Sequence, residues 1–382
     1  MIEDLFSERP VALVFSGGDS PGMNAFLRAV VRLGLNRHRI PVLGIMEGYV
    51  GLVRTVKRLE SGGITPEGLK REILDRPGIF GLHAQDHYIV QMNHESVSGL
   101  TVQGGIRLRS ARSEEFRLPE RRAQIIELLG NLNVRSVIVC GGDGSLKGAD
   151  VLREESGFQV IGVPGTIDND VALTDLALGV QSAVETLVWA VDHFKDTARS
   201  HRRVLVLETM GRACGELTQL AAIASGAEFA VIPEHEFFSD DRMREMAREM
   251  VASFDRGRSH SIILIAEGVG MSCLSWESRA WALARQLRIE FERGGGRYKD
   301  IETRASVLGH LQRGGRPAPF DAMLAAEFAE VAWEAIAQGR DSGITVLQNG
   351  EYKLVPFGSQ PPSNRAARVE RLHRLHKDLS AW

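Results

Sequence analysis

Residues 10–35 read PVALVFSGGDSPGMNAFLRAVVRLGL, and the three parts of this stretch decide the fold. PVALVF is a short apolar run of the kind that forms a buried parallel strand. It breaks at SGGDSPGMN, residues 16–24, and gives way to a segment in which Phe26, Leu27, Val30, Val31 and Leu35 recur at helical spacing. Strand, glycine turn, helix is the unit that builds doubly wound sheets. The unit recurs. Residues 40–46 read as a strand ending at EGYVGL, and residues 123–132 as a helix feeding a strand at 136–140 that breaks at GGDGS. A helix at 146–154 precedes the short strand QVIGVPG, which breaks at TIDND. A helical stretch at 179–197 is followed by the strand RRVLVLE, which stops at TMGRACGELT. FAVIPE and SIILIAEG repeat the motif of an apolar strand ending in polar residues, with a charged helix at 240–254 between them. RASVLGHLQRGGRP then leads into a strong helix at 321–338, and the basic tail from Pro361 reads as a helix packed on, or loosely attached to, the body. The expected fold class is α/β, with mostly parallel sheets, and two such sheets fit the length.

Composition bounds the rest. The chain has 382 residues, of which 43% are hydrophobic and 25% charged, which is ordinary for a globular protein and excludes a disordered or fibrous chain. With 46 Lys and Arg against 49 Asp and Glu the formal charge is −3, so a nucleic-acid partner has no electrostatic footprint to support it. Cys140, Cys214 and Cys273 are odd in number and unrelated in spacing, which predicts neither a disulfide framework nor a metal knuckle. The opening MIEDLFSERP lacks a secretory layout and no apolar run reaches the ~18 residues of a membrane span, so a cytoplasmic protein without a membrane partner is expected. Residues 53–88 are punctuated by Gly and Pro without a clean strand. They read as a surface insertion, and His83, His87 and His94 with Asp86 match no metal-ligand spacing.

Three glycine–acid clusters, SGGDSPGMN, GGDGS (141–145) and PGTIDND (164–170), sit at the C-terminal ends of predicted parallel strands, where open α/β sheets place their ligands. Glycine there lets the backbone approach a polyphosphate, and the following helix N-terminus offers unpaired N–H groups to anionic oxygens. A carboxylate beside such a cradle repels the ligand unless a cation intervenes, so Asp143 is read as a Mg²⁺ ligand. Asp168 and Asp170, two apart, can tune one carboxylate to accept a substrate proton; the alternative for Asp170 is an Asx turn. Arg112, Arg203, Arg212, Arg304, His310 and Arg313 flank the glycine-rich ends, and guanidinium forks suit a phosphorylated substrate. The dinucleotide spacing G-x-G-x-x-G is missing from SGGDSPGMN, and no G-x-x-x-x-G-K-[ST] occurs.

SGGDSPGMN, GGDGS, PGTIDND, ETMGR-x-CG-x-LT and LGHLQRGG, in this order, resemble the phosphofructokinase family from about residue 11 to 348, with 53–88 the main unmatched stretch. The resemblance implies two Rossmann-like three-layer α/β/α domains with the active site in the cleft between them. The larger, nucleotide-binding domain would comprise 1–178 and 311–360, with an insertion at about 53–88. The smaller, sugar-phosphate domain would comprise 179–310 with the tail 361–382. The implied reaction is ATP-dependent, Mg²⁺-assisted phosphorylation of fructose 6-phosphate at its 1-hydroxyl, a glycolytic step. Gly18, Arg112, Ser113, Gly142, Gly144, Ser145 and Gly148 match positions lining the nucleotide phosphates, and Asp143 the Mg²⁺ residue. Asp168 matches the general base, with Thr166 and Asp170 beside it. Arg212 matches a charge-stabilising residue of the sugar site, next to Met210 and Gly211, and Glu267, His310 and Arg313 match further sugar contacts. Arg203 and Arg304 match a pair that reaches the sugar 6-phosphate from a neighbouring subunit, which implies self-association: a homotetramer, with a dimer as the minimum.

Pyrophosphate-using members of the family carry an acid after GGD and a lysine before TIDND; this chain has Gly144 and Gly165, whose size leaves room for a full nucleotide and favours ATP. The alternatives are pyrophosphate-dependent transfer and a catalytically silent regulatory or nucleotide-sensing subunit. Such subunits lose the acids of TIDND or GGDGS, which persist here. Arg28, Arg32, Glu228, Arg258 and His260, with Lys195 where arginine is usual, match the family's allosteric effector site, while Tyr88 stands where another arginine is expected. Arg109 replaces a usual glycine and is expected to point to solvent.

Overall fold

Successive residues of the apolar runs alternate between two hydrophobic cores, so each run is a strand covered on both faces. Val11, Leu13 and Phe15 enter one core, Ala12 and Val14 the other, as expected of a parallel sheet between two helical layers. The computed structural model describes residues 2–78, 87–235, 238–271, 278–361 and 365–380. Its strands in chain order are β1 (Val11–Ser16), β2 (Val42–Ile45), β3 (Ile89–Gln91), β4 (Ser136–Gly141), β5 (Gln159–Pro164), β6 (Arg203–Thr209), β7 (Phe229–Val231), β8 (Ser261–Ala266), β9 (Glu302–Val307), β10 (Gly343–Gln348) and β11 (Glu351–Pro356). The helices are α1 (Ile2–Ser7), α2 (Met23–Leu33), α3 (Tyr49–Glu60), α4 (Pro66–Asp75), α5 (Pro119–Asn131), α6 (Asp143–Ser156), α7 (Val180–His201), α8 (Glu216–Ser225), α9 (Asp240–Asp255), α10 (Arg279–Gly294), α11 (Pro319–Ala337) and α12 (Arg365–Ser380).

The chain divides into two compact units. The first comprises Met1–Thr166, Val171–Gly179 and Arg313–Pro361; the second comprises Ile167–Asp170, Val180–Gln312 and Pro362–Trp382. Residues 167–170, which the sequence reading keeps with the first unit, thus group with the second.

The first unit is built on a seven-stranded sheet of order β11-β10-β5-β4-β1-β2-β3. Its strands are parallel except for the two edges, where β3 and β11 run antiparallel to their neighbours. The β10–β11 hairpin turns at Asn349 and Gly350, both at positive φ (54° and 84°), as a two-residue hairpin loop of this sequence requires. One face is covered by α2 and α11 through Phe26, Val30, Phe328 and Trp333, and Trp333 Nε1 donates to the Val30 carbonyl at 2.8 Å. The other face is covered by Leu52, Val56, Leu69, Ile73, Ile125, Leu129 and Leu152 from α3 to α6.

Leu69 and Ile73 correct the reading of 53–88 as a surface insertion. The stretch begins within α3 and includes α4, whose Thr65 side chain caps the Gly68 N–H, and both helices bury an apolar stripe in the core. Gly/Pro punctuation marked their caps, not a structureless loop. His87 is held by Glu72 and Arg76, and His94 by Asn36; His83, Asp86 and Cys273 lie outside the described residues.

The second unit has a four-stranded, all-parallel sheet of order β7-β8-β6-β9. Val204 and Val206 of β6 face α9 and α10, with Met246, Leu283 and Phe291; Leu205 and Leu207 face α7 and α8, with Leu187 and Leu217. The tail is an ordered helix. Within α12 Val369 and Leu372 are buried, Arg368 pairs with Glu216 at 2.9 Å, and His376 Nε2 lies 2.9 Å from the Ala227 carbonyl.

Candidate active site

In the first unit the glycine clusters interlock by main-chain approach. A side chain on Gly141 would overlap the Ser16 carbonyl oxygen, and that oxygen accepts from Ser145 Oγ at 2.9 Å. The loop after β1 is therefore fastened to the first turn of α6. Gly142, in extended conformation, starts that helix and leaves its first N–H groups facing the strand ends, a ready site for anionic oxygens. A Cβ on Gly142 would lie 3.6 Å from Thr166 Cβ, so TIDND begins beside the helix start. Around Gly144 nothing lies within 4 Å of a built Cβ. Asp143, in the first turn, pairs with Lys147 at 2.6 Å. One half-exposed carboxylate beside open space fits Mg²⁺, which takes one or two carboxylates and completes its shell with water and phosphate oxygens.

The wall behind α6 is aromatic. Tyr49 and Phe116 stack at 3.8 Å, Gly148 packs on both rings, and the Tyr49 hydroxyl donates to the Ser145 carbonyl at 3.2 Å. Burial pushes the Tyr49 phenol well above its ordinary pKa, so it stays a donor. Ser113 Oγ accepts the Phe116 N–H, while Arg112 is exposed. Asn24 ties this region to the first loop: its Nδ2 donates to the Gly104 carbonyl at 2.9 Å and its Oδ1 accepts the Arg107 N–H at 2.7 Å. Arg313 also belongs to the first unit. Its Nη1 donates to the Asp19 carbonyl at 2.9 Å and lies 2.7 Å from where a Cβ on Gly18 would be.

Gly144 and Gly165 turn out to differ. Gly144 fronts open space, whereas a Cβ on Gly165 would meet Met23 Cε at 2.7 Å and Cys140 Sγ at 2.8 Å. Gly165 is a packing glycine. Arg109 sits at φ 60°, where glycine costs nothing, and its exposed guanidinium lies 3.7 Å from Glu47.

In the second unit the strand ends are held by side chains instead. Met210, Gly211 and Arg212 follow β6, with Gly211 at φ 133° and Arg212 at φ 51°. The Arg212 N–H donates to Glu267 Oε1 at 3.0 Å, from the end of β8, and the Met210 N–H donates to Gln312 Oε1 at 3.1 Å. Gln312 is fully buried and fixes its own turn by donating to the Gly309 carbonyl, next to the exposed His310. Gly268 passes so close to the Arg212 carbonyl that no side chain fits there. Asp168 is only 4% exposed, Asn169 after it is left-handed at φ 48°, and Asp170 Oδ1 is buried without a hydrogen bond among the described residues.

Arg203 and Arg304 lie elsewhere. Both pair with Glu302, and Arg203 opens β6 whereas Met210 follows its end. Seven residues of strand separate them by roughly 23 Å. The structure therefore brings Met210, Gly211, Arg212 and Glu267 together but leaves Arg203 at the opposite end of β6 and Arg304 within β9, level with Leu205. Gln312, Glu302 and the Tyr49–Phe116 pair escaped the sequence reading. The only available signal was Gln312's place inside GHLQRGG.

The phosphofructokinase family model matches residues 10–336. The chain belongs to the phosphofructokinase family. A Serratia proteamaculans ATP-dependent 6-phosphofructokinase is 41% identical over 341 residues, covering 89% of this chain and 90% of that one. The Halothermothrix orenii ATP-dependent 6-phosphofructokinase is 35% identical over 377 residues, covering 97% and 99%. Among solved structures, Saccharomyces cerevisiae phosphofructokinase superposes with a TM-score of 0.74 at 28% identity. That match covers 97% of this phosphofructokinase but 48% of the yeast chain, so the present chain spans about half its length. Among the described residues no helix is long and apolar enough to cross a membrane.

Proposed function

We propose that this phosphofructokinase transfers the γ-phosphoryl group of ATP to the 1-hydroxyl of D-fructose 6-phosphate, giving fructose 1,6-bisphosphate and ADP as a cytoplasmic step of glycolysis. The hydroxyl oxygen bonds to the γ-phosphorus as the bond to the β–γ bridging oxygen breaks, and Asp168 accepts the hydroxyl proton. The observation that carries this reading is that the acid is nearly buried and follows by two residues Thr166, whose Cβ lies beside Gly142 at the start of α6. A carboxylate positioned at the hydroxyl can take its proton as transfer proceeds.

Gly18, Gly142, Gly144, Ser145 and Gly148, with Arg112 and Ser113, would line the nucleotide. Asp143 would hold Mg²⁺, which when bound neutralises charge on the phosphate oxygens. Arg212 would offset charge developing on the transferred group, with Thr166, Asp170, Met210, Gly211, Glu267, His310 and Arg313 completing the sugar site. Positioning and electrostatics supply most of the acceleration in such transfers. The separation of Arg203 and Arg304 from Arg212 supports the reading that they bind the 6-phosphate of sugar held by a second copy, within a homotetramer. An allosteric effector would meet Glu228, which accepts the Ile262 N–H at 2.6 Å and pairs with Arg258 at 3.0 Å near His260. A coupled assay offering ATP and pyrophosphate side by side with fructose 6-phosphate tests the donor: turnover with ATP supports the reading, and turnover with pyrophosphate alone overturns it.

A further inference from the structure

We infer that Lys147 is a resident counter-ion of Asp143 that makes divalent-metal binding and nucleotide binding depend on each other. The inference rests on the donor-site reading above and deepens it.

Asp143 and Lys147 stand four residues apart on α6, and Lys147 Nζ lies 2.6 Å from Asp143 Oδ2. Stability gives little reason for this lysine. Its side chain is 75% exposed and that of Asp143 47%, and exposed pairs of this kind contribute little. Its position within the first turns of the helix also sets a cation near the positive end of the helix dipole. What the position does provide is a place in the site. On α6 Lys147 lies beside the line of Gly144, which fronts open space, and Gly148, which packs on Tyr49 and Phe116.

The electrostatic consequence follows from the sign of each partner. With no ligand, the ammonium neutralises the carboxylate. A divalent cation arriving alone must displace a positive charge from its ligand and then sit beside it. A nucleotide arriving with the metal brings phosphate oxygens that accept the released ammonium, and an ammonium on a flexible four-carbon stem can make that change of partner. Lys147 thus disfavours bare metal, favours bare nucleotide, and affects the complete metal–nucleotide pair less than either.

The test is binding to the full-length protein rather than turnover. Mn²⁺ alone is titrated by electron paramagnetic resonance and ATP alone, in excess chelator, by calorimetry, for wild type, K147M, K147R and D143N. K147M is expected to bind Mn²⁺ about two- to fivefold more tightly and metal-free ATP roughly three- to tenfold more weakly. K147R should stay near wild type in both titrations, and in a D143N background K147M should no longer change Mn²⁺ binding. A K147M protein that matches wild type in either titration overturns the inference while leaving the donor site standing. A wild-type protein that binds neither Mn²⁺ nor ATP overturns the donor-site reading and the inference together.

Discussion

The two sheets solve one problem by opposite means. At the ends of β1, β4 and β5 the main chain is shaped by missing side chains: Gly141 against the Ser16 carbonyl, Gly142 beside Thr166, Gly165 under Met23 and Cys140. At the ends of β6 and β8 it is shaped by long polar side chains reaching across the chain: Glu267 to the Arg212 N–H and Gln312 to the Met210 N–H. Backbone brought close by glycine suits a polyphosphate, which wants N–H groups and room. Backbone held by carboxylates and amides suits a sugar phosphate, whose hydroxyls and single phosphate need directed donors. The contrast teaches that main chain at a strand end can be fixed either by close approach at glycine or by polar side-chain clamps.

Substitutions can break the contrast in order of expected effect. Gly268 is a position in the second unit where the glycine rule of the first applies, because its missing side chain lets the Arg212 turn close. Gly268→Ala should displace that turn by about an ångström and lower kcat/KM for the sugar roughly 100-fold, with the affinity for ATP measured by calorimetry unchanged. Next is Gln312→Leu, which leaves the part-buried Met210 N–H without its acceptor. A lost buried partner costs about 1–3 kcal/mol, to be read as a fall in thermal stability together with a rise in KM for the sugar.

A pH dependence should follow from the tail helix. Burial lowers the pKa of both His373 and His376, so the folded state binds fewer protons than the unfolded state. Stability is then fully present above the ordinary histidine range and declines as pH falls through about 6.5. A melting series across pH 5–8 should show this decline, and His376→Gln should flatten it. The smallest effect is expected at Gly144→Ala. A Cβ there meets open space and alanine favours a helix, so stability should change by no more than about 1 kcal/mol, whereas nucleotide affinity should fall if the phosphates pass over that face.

The same contrast explains what could be read from the amino-acid sequence. Glycine loops are contiguous, so SGGDSPGMN, GGDGS and TIDND declared their strand ends. The polar clamps are assembled from residues far apart: Gln312 serves Met210 across 102 positions, and GHLQRGG marks the glutamine but not its partner. Tyr49 and Phe116 meet only because α3 packs on α5 and the short helix at Glu115–Arg117, in a stretch whose Gly and Pro residues masked two amphipathic helices. Arg203 and Arg304 were found by motif, but their distance from Arg212 depends on strand direction and register, which spacing alone does not reveal.

Rapid-quench turnover of Asp168→Asn, with binding of ATP and fructose 6-phosphate measured on the same preparation, probes the proposed chemistry at its centre. The amide keeps the shape of the TIDND turn and cannot take the proton. Both ligands should still bind while kcat drops by roughly 10²–10⁴. A variant that binds both and turns over at the wild-type rate would mean the proton goes elsewhere, and the assignment of Asp168 would be wrong.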